Sequence, residues 1–324
     1  MIKWGIIGLG NIAARFAKSL ENESGGKLVA VASLSGKNVQ YYTERYNVNV
    51  YSTYEELLKS KDVDAVYIAL PHELHLKYTI RALNLKKAVL CEKPGAMTYE
   101  EMYRVTKCAK RNKTFYMEAV KTPFIPMIEV IKEVLSNKII GDVKEIYACF
   151  SSKAEGKENT YLFDKNQGGA ILDVATYPIS FAMQIADNFK VLSIHNENKE
   201  EKINEINVNT HFNSIIELEG GMQVRIEGGI DMDKERTAII KGTLGCMYVP
   251  IFNRPESYRI EFYDGKSYEE KLSVLHDDMY GEIHEVHKCI ADGKIESSRQ
   301  SFHMSEEAMK IIDDMRDIKK YSSL

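Results

Sequence analysis

The stretch "KWGIIGLGNIAARFAKSL", residues 3–20, decides the fold of this chain. It begins with a short apolar run, turns through two glycines, and continues with apolar residues at helical spacing. The turn carries Gly8, Gly10 and Ala13 in the spacing G-x-G-x-x-A. The first glycine permits a tight turn, the second lets a pyrophosphate approach the backbone, and the alanine lets helix and strand pack closely. The pattern therefore predicts a dinucleotide-binding loop rather than an ordinary structural turn.

The helix after the glycine loop also supports the prediction of dinucleotide binding. Asn11 and Ile12 begin this helix, where backbone N–H groups have no intrahelical acceptor and the helix dipole presents partial positive charge. Such a terminus is suited to phosphate groups. We therefore predict cofactor contacts from Gly8, Gly10, Asn11 and Ile12.

The rest of the first third repeats the alternation of strand and helix. Apolar runs such as "LVAVAS", "DAVYIAL" and "AVLCEK" are separated by segments with helical periodicity. Continuous apolar strands interleaved with helices indicate a parallel sheet that is covered on both faces. We predict an α/β Rossmann domain with a doubly wound parallel sheet over residues 1–120.

The pattern changes after this domain. A glycine-led segment at 168–186, "GGAILDVATYPISFAMQIA", predicts one helix. Strand-like runs then follow one another from 206 to 272, and two helical segments close the chain, the second being "SEEAMKIIDDMRDIKKY" at 305–321. We predict an α+β domain over residues 121–324, with a large, mostly antiparallel, open-faced sheet and no flexible linker before it.

The composition excludes several classes of partner. The net charge of −4 offers no basic footprint for nucleic acid. No apolar stretch approaches the length of a membrane span, so no membrane partner is expected. The five cysteines are scattered and form no C-x-x-C pair. We interpret them as buried free thiols of a reducing compartment, which predicts a cytoplasmic location.

No metal site is predicted. His284 and His287 in "EIHEVHK" are three apart, whereas the zinc motif H-E-x-x-H places its histidines four apart. We interpret this segment as a solvated helix face.

The tip of the second strand, "VASLSGKN", bears on the choice of dinucleotide. An acidic residue at this place would bind the ribose 2′-hydroxyl of NAD(H) and repel the 2′-phosphate of NADP(H). The tip has none, and Ser33, Ser35 and Lys37 are suited to a phosphate. The other interpretation is that Lys37 only solvates the start of the next helix. We predict NADP(H) as the preferred cofactor and leave NAD(H) open.

The segment "VLCEKPG", residues 89–95, ends an apolar strand with an acid and an amine. The carboxyl ends of strands in a doubly wound sheet border the ligand crevice, so we expect Lys93 to face the nicotinamide end. A lysine there can donate or accept a proton when desolvation and a neighbouring cation lower its pKa. The plainer alternative is that charged residues only mark the exit of the strand to solvent.

Several segments together resemble the Gfo/Idh/MocA oxidoreductases, a family named for glucose–fructose oxidoreductase and inositol dehydrogenase. The segments are "GIIGLGNIA", "DAVYIALPHELH", "VLCEKP", "MEAVKTPFIPMIEVIKEVLSNKIIGDVKEI" and "GGAILDVATYPISFA". The resemblance spans nearly the whole chain and fits the dihydrodiol dehydrogenase-like branch best. It implies an NAD(P)-dependent dehydrogenase or reductase that transfers a hydride between nicotinamide and a carbohydrate-like or alicyclic alcohol or ketone.

The resemblance also implies roles for individual residues. Lys93 matches the proton-transfer lysine of the family, and Glu92 matches the glutamate near the nicotinamide ribose. Pro71 and His75 match the loop that lines the cofactor. Asp173 matches the aspartate that orients the substrate or the lysine.

Other positions depart from the common family pattern or admit two interpretations. Tyr177 stands where many members carry histidine, which fits the dihydrodiol dehydrogenase-like branch. Leu34 stands where many NADP-using members carry arginine, so a weaker phosphate site is expected. His72 either contacts the cofactor edge or only shapes the turn after Pro71.

From the residues alone, Asp173 and Tyr177 are four apart and so lie on one face of the predicted helix. A carboxylate and a phenol at this spacing can hydrogen-bond a hydroxylated substrate. The alternative is an aspartate favoured by the helix dipole and a tyrosine packed at an interface. With the resemblance added, we predict Lys93, Asp173 and Tyr177 as the catalytic residues.

Two other functions stay open on the same scaffold. One is a non-catalytic NADP(H)-binding regulator, and the other is a glycosidase that uses the bound nucleotide as a redox catalyst. Retention of Lys93, Asp173 and Tyr177 favours the dehydrogenase. The partner is a small-molecule substrate whose identity the sequence does not specify. The resemblance further implies pairing through the open sheet face into a homodimer or homotetramer.

Overall fold

The computed structural model describes three stretches of the chain, residues 1–157, 160–186 and 189–316. The chain forms two compact units. The first contains Met1–Val120 together with His276–Glu306, and the second contains Lys121–Leu275 and the segment that starts at Glu307. The segment 276–306, which the sequence analysis grouped with the second domain, clusters with the first unit.

The first unit is built on a six-stranded parallel sheet. Its strands are β1 (Ile2–Ile7), β2 (Gly26–Ala32), β3 (Asn49–Tyr51), β4 (Ala65–Ile68), β5 (Ala88–Glu92) and β6 (Tyr116–Ala119). Their order in the sheet is β3-β2-β1-β4-β5-β6. The order reverses between β1 and β4, which is the place where open α/β sheets bind ligands, beyond the carboxyl ends of the strands. The predicted doubly wound sheet is confirmed.

Helices alternate with these strands. They are α1 (Asn11–Leu20), α2 (Val39–Arg45), α3 (Tyr54–Lys59), α4 (His75–Asn84) and α5 (Tyr99–Asn112). Every residue of β4 and β5 is buried, as expected for central strands covered on both faces. At the start of α3, the Thr53 hydroxyl accepts the Glu56 N–H at 3.2 Å and the Glu56 carboxylate accepts the Thr53 N–H at 3.1 Å. This capping box fixes the helix start next to the ligand edge of the sheet.

The second unit is built on an eight-stranded sheet. Its strands are β7 (Val143–Ser151), β8 (Val191–Ile203), β9 (Ile206–Leu218), β10 (Gln223–Gly229), β11 (Thr237–Gly242), β12 (Gly245–Pro250), β13 (Ser257–Phe262) and β14 (Ser267–Lys271). Their order is β14-β13-β12-β11-β7-β10-β9-β8, and only β7 with β10 pairs in parallel within the described residues. The prediction of a large, mostly antiparallel sheet is confirmed.

The two faces of this sheet differ in burial. Helices α6 (Pro126–Ser136), α7 (Ala170–Val174) and α8 (Thr176–Ile185) belong to the same unit, and α7 and α8 pack on β7, β9 and β10. Alternate strand residues such as Ile146 and Ile226 are fully buried. Their neighbours along the strands, such as Tyr147 and Arg225, are half-buried or exposed. We call this second side the open face.

The single helix predicted over 168–186 is wrong in one respect, because the structure has two helices there. Helix α7 ends at Val174 and α8 begins at Thr176. Pro178 explains the interruption, since proline has no N–H to donate to the Val174 carbonyl four residues earlier. Asp173 and Tyr177 therefore lie on successive helices, which Ala175 joins with helical backbone angles (φ −63°, ψ −25°).

The last helices are α9 (Tyr280–Ala291) and α10 (Phe302–Met315). The interpretation of the His284–His287 segment as a solvated face is wrong for His287, which is buried. Trp4 donates from Nε1 to His287 Nε2 at 2.8 Å, and the other ring nitrogen bonds the buried Glu23 carboxylate. The predicted helix at 305–321 is found up to Met315, and its residues 317–321 lie outside the described ones.

The described residues bear on two kinds of partner, membranes and metal ions. None of their helices is long and apolar enough to cross a membrane. The same residues contain no group of three or more His, Cys, Asp or Glu side chains placed to hold a metal ion.

Candidate cofactor and catalytic site

The glycine loop joins β1 to α1 at the carboxyl edge of the parallel sheet. Gly8 adopts a φ of 87°, in the region that only glycine enters without strain. Its N–H donates to the Ala32 carbonyl at 3.2 Å. A Cβ at Gly8 would come closer than 3.0 Å to the Ala69 carbonyl oxygen, so no other residue fits without a backbone shift. The tight turn therefore requires glycine at this position.

Gly10 is the N-cap residue of α1, and its surroundings are open. A Cβ built on Gly10 would meet no atom within 4 Å. Asn11 is exposed, Ile12 is half-buried, and the first turn of the helix has no acidic residue. The helix N-terminus thus combines unhindered backbone N–H groups with a favourable dipole, which fits a pyrophosphate.

The loop after β2 places the predicted phosphate-binding residues together. Ser33 and Ser35 have their hydroxyl oxygens 3.5 Å apart, and the Lys37 N–H donates to the Ser35 oxygen at 3.3 Å. Ser35 and Lys37 are exposed. The Asn38 amide donates to the Leu9 carbonyl at 2.6 Å, which joins this loop to the glycine loop. Hydroxyl groups and an ammonium are therefore present at the ribose end of the predicted cofactor site.

Glu92 ends β5 and is held by a buried partner. It is 7% exposed, and the Tyr67 hydroxyl of β4 donates to its carboxylate. Tyr67 stacks on Phe16 of α1 with 3.9 Å between ring centroids. Burial raises the pKa of Tyr67 well above its usual value, so the phenol remains a donor. The Glu92 carboxylate is thereby fixed in orientation.

His75 lies between the loop after β4 and the turn that contains Lys93. One ring nitrogen is 2.8 Å from the Leu70 carbonyl oxygen and the other is 2.8 Å from the Pro94 carbonyl oxygen. The side chain is fully buried, and that burial lowers its pKa. His75 therefore connects the two loops that the resemblance assigns to the cofactor and to catalysis.

Pro71 and His72, the other two predicted residues of the loop after β4, differ in exposure. Pro71 is exposed and precedes a short 3₁₀ turn over His72–Leu74. His72 is buried, with its ring centroid 5.7 Å from that of His75.

Glu118 at the end of β6 was not predicted as a site residue. Its carboxylate accepts the Gly95 N–H at 2.7 Å and the Ser305 hydroxyl at 2.9 Å. It is 2% exposed, and burial raises its pKa although the nearby Lys93 ammonium acts in the opposite direction. Its only signal in the sequence is a glutamate inside an otherwise apolar strand, "FYMEAV".

Lys93 is thus the half-buried centre of a turn whose other members are fixed by buried groups. Those contacts join Glu92 to Tyr67, the Pro94 carbonyl to His75, and the Gly95 N–H to Glu118. These contacts fix the backbone at Lys93 before a substrate binds, which favours acid–base work.

In the second unit, Asp173 lies in the first turn of α7. Gly169 precedes the helix with a φ of 93°, and the Asn209 side chain accepts the Ile171 N–H at 3.1 Å. Asp173 is half-buried. The helix start is therefore held by a neighbouring strand, β9, which fixes the position of the aspartate backbone.

Tyr177 lies in the first turn of α8 and is half-buried. Its ring stacks on Phe150 of β7 with 4.7 Å between centroids and planes 12° apart. The guanidinium carbon of Arg236 lies 4.4 Å from the centroid of the same Phe150 ring. Neither Phe150 nor Arg236 was expected from the sequence. Phe150 contacts Tyr177 and Arg236 contacts Phe150 only because the strands of the sheet bring distant residues together.

The structure brings the predicted residues together in two groups. In the first unit, the glycine loop, the Ser33–Lys37 loop and the Lys93 turn all follow carboxyl ends of the parallel strands. In the second unit, Asp173 and Tyr177 lie close in sequence on successive helices.

Comparison with known proteins gives the same assignment for both units. Residues 2–120 match the profile described as "Oxidoreductase family, NAD-binding Rossmann fold" of GFO_IDH_MocA, and residues 128–248 match the "GFO/IDH/MocA C-terminal domain". Together the two matches cover most of the chain.

Individual proteins are similar over nearly the full length. The trans-1,2-dihydrobenzene-1,2-diol dehydrogenase of Xenopus laevis is 29% identical, and the alignment covers 96% of each chain. The scyllo-inositol 2-dehydrogenase (NADP(+)) of Bacillus subtilis is 27% identical, with 98% of this chain and 96% of that protein covered. A 3-ketoreductase from Actinomadura kijaniata, solved with NADP and TDP-benzene, has a TM-score of 0.88 at 24% identity, over 98% of this chain and 97% of that one.

Proposed function

The chain belongs to the GFO/IDH/MocA family of oxidoreductases, and from this premise we propose that it is an NAD(P)-dependent dehydrogenase or reductase acting on CH–OH groups. Its substrate is a carbohydrate-like or alicyclic alcohol, or the corresponding ketone. The observation that carries this proposal is the turn around Lys93, which buried Tyr67, His75 and Glu118 hold at the carboxyl edge of the Rossmann sheet.

The roles of the residues follow from their chemistry. The nicotinamide ring, when bound, supplies or accepts the hydride. Lys93 gives a proton to the substrate oxygen during ketone reduction and takes it back during alcohol oxidation. Asp173 and Tyr177 hydrogen-bond substrate hydroxyls and so orient the ring that reacts. The Rossmann domain, 1–120, binds the cofactor, and residues 121–324 bind the substrate.

The cofactor contacts come from four places in the first unit. Gly8, Gly10 and the N–H groups of Asn11 and Ile12 would hold the pyrophosphate. Ser33, Ser35 and Lys37 would bind the 2′-phosphate, and Glu92 would bind the nicotinamide ribose. The fourth place is the loop after β4, where Pro71, His72 and His75 would line the cofactor.

Substrate screening with both cofactors tests the proposal. NADP+ reduction and NADPH oxidation are followed by the absorbance of reduced nicotinamide. The compounds screened are sugars, polyols, inositols, diols and dicarbonyls. Net oxidation or reduction of a member of these classes is expected. Consumption of a glycoside without net change in NADPH absorbance would instead identify the nucleotide-dependent glycosidase, and cofactor binding without any turnover would favour the regulator.

We expect a modest preference for NADPH over NADH, on the order of tenfold, because one exposed ammonium and two hydroxyls face the 2′-phosphate. Lys37→Ala should weaken NADPH binding by most of that factor and leave NADH nearly unchanged. Added salt should narrow the wild-type preference, since exposed charge pairs are screened. Fluorescence titration of both cofactors into both proteins measures these effects.

Two results would refute this phosphate site. One is tighter binding of NADH than of NADPH by the wild type. The other is an equal loss of affinity for both cofactors in Lys37→Ala, which would place the lysine at a feature that NADH and NADPH share.

The open face of the second sheet supports assembly into a homodimer or homotetramer. It carries half-buried or exposed apolar side chains at Tyr147, Ile215, Ile239 and Tyr248. Covering such a face removes apolar area from water, which is the dominant favourable contribution to protein association. Light scattering at micromolar concentration should give a mass of two or four chains, and a monomer mass would contradict the assembly.

A reducing compartment such as the cytoplasm suits the cysteines. All five are free, and four of them, Cys91, Cys108, Cys149 and Cys289, are buried as small apolar side chains. The chain therefore gains nothing from an oxidising environment.

A further inference from the structure

Arg236 packs on Phe150, the ring that stacks on the proposed catalytic Tyr177. It directly precedes β11, and its guanidinium carbon is 4.4 Å from the Phe150 centroid. Phe150 in turn stacks on Tyr177. Arginine packs on an aromatic ring without using its N–H donors, which remain directed outward in the plane of the guanidinium.

The segment that carries Arg236 is fixed to the sheet. The Ser151 hydroxyl donates to the Met232 carbonyl at 2.6 Å. The Lys153 N–H donates to the Asp233 carboxylate at 2.9 Å. These bonds before Arg236, and the pairing of β11 with β7 after it, hold the arginine backbone in place before any ligand arrives, which lowers the entropy lost on binding.

Three acidic residues close to Arg236 in sequence have other partners. These contacts are Asp231 with His211 and Lys199, Glu227 with Tyr147, His211 and Lys234, and Asp233 with the Lys153 N–H. Glu235 lines a cavity of about 430 Å³ together with Thr237 and Ile239. Among the residues that the structure describes, the Arg236 guanidinium has no hydrogen bond and no ion pair, only its contact with Phe150.

We propose that Arg236 is an anion subsite that selects substrates carrying a carboxylate or a phosphate group on the carbohydrate-like ring. The guanidinium binds either group through two parallel hydrogen bonds, as its planar fork favours. Contact with Phe150 holds the guanidinium one aromatic ring away from Tyr177. The inference rests on the proposed function, because it assigns the substrate side of the site to Tyr177.

The test compares one neutral hexose with two anionic counterparts. D-Glucose, D-glucuronate and D-glucose 6-phosphate are titrated into NADP+-loaded protein by calorimetry. At least one anion should bind about 10-fold or more tightly than D-glucose, and the one that does so distinguishes carboxylate from phosphate. Equal binding of all three, or binding of neither anion, overturns the proposal.

Variants then assign the effect to Arg236. Arg236→Met should lose about 10- to 100-fold in affinity for the preferred anion and leave the neutral sugar unchanged, while Arg236→Lys should lose less. Arg225→Met is the matched control, because that guanidinium lies 5.8 Å from the Tyr147 centroid on the open face. Unchanged anion affinity in Arg236→Met, or an equal loss in Arg225→Met, overturns the proposal. Arg236→Gln, which keeps a planar polar group, replaces the methionine variant if that variant does not fold.

The same measurements separate this inference from the proposed function. Lys93→Met should bind the preferred anion as wild type does and turn it over ~10²-fold or more slowly. If Arg236-dependent anion binding is found but no ligand is oxidised or reduced, the subsite stands and the dehydrogenase assignment fails. If turnover is found on neutral and anionic substrates alike, the dehydrogenase stands and the subsite fails.

Discussion

Lys93→Met is expected to lower kcat by ~10²-fold or more while NADPH affinity changes little. Methionine keeps the unbranched chain of lysine but cannot move a proton. The turn should survive the change, because its buried contacts come from the residues around Lys93: Glu92 bonds Tyr67, the Pro94 carbonyl bonds His75, and the Gly95 N–H bonds Glu118. Steady-state turnover on an identified substrate and fluorescence titration of NADPH measure the two quantities.

Tyr177→Phe is the companion variant that separates the roles of the two residues. Phenylalanine keeps the ring that stacks on Phe150 and removes only the hydroxyl. The loss in kcat should be clearly smaller than in Lys93→Met if Tyr177 orients the substrate, and equally large if Tyr177 is the proton donor. Near wild-type turnover in Lys93→Met would rule out the assignment of Lys93 as the acid or base.

The architecture of the first unit could be predicted because its signals are local. The glycine spacing, the apolar strands and the helical periodicity each occur within about 20 residues, so a single sequence contains them in full. The Thr53 capping box and the Gly220–Gly221 turn between β9 and β10 are equally local, because each forms among residues that are close in sequence. Local agreement of this kind is what a foldable sequence provides.

The supporting contacts of the site could not be predicted in the same way. Glu118 reaches Gly95 across 23 positions of the chain, and Ser305 reaches Glu118 across 187. These pairs exist because neighbouring parallel strands end at one edge and because the segment 276–306 belongs to the first unit. No spacing in the sequence encodes them, and an acid inside an apolar strand is the only local sign.

Prediction from the sequence is limited in the second unit and in α9 as well. Helical periodicity across 168–186 is continuous, and the interruption at Ala175 depends on a single missing N–H at Pro178. His287 was misassigned because α9 has polar residues on several sides, and its buried side is revealed only by Trp4 and Glu23 from the opposite end of the chain. In the first case the pattern indicated helical structure but not its interruption, and in the second it identified the helix but not the residues that pack against it.

Gly8→Ala is the other change with a large expected effect. The new Cβ would come within 3.0 Å of the Ala69 carbonyl oxygen, which is backbone and cannot move aside as a side chain can. The φ of 87° adds strain for any residue with a Cβ. We expect the free energy of unfolding to fall by about 3 kcal/mol and NADPH binding to be lost with the distorted loop. Chemical denaturation and cofactor titration measure both.

Gly10→Ala is the matched control, and it separates the fold from the cofactor site. A Cβ at Gly10 meets nothing within 4 Å, and its φ of −81° is open to all residues, so stability should be close to that of the wild type. The methyl group would occupy the space in front of the N-terminus of α1, where a pyrophosphate must approach the backbone. NADPH should therefore bind more weakly, on the order of tenfold or more, in a protein that unfolds normally. Unchanged affinity for both NADPH and NADH in Gly10→Ala would show that the pyrophosphate does not lie against this loop, whatever the result for Gly8→Ala.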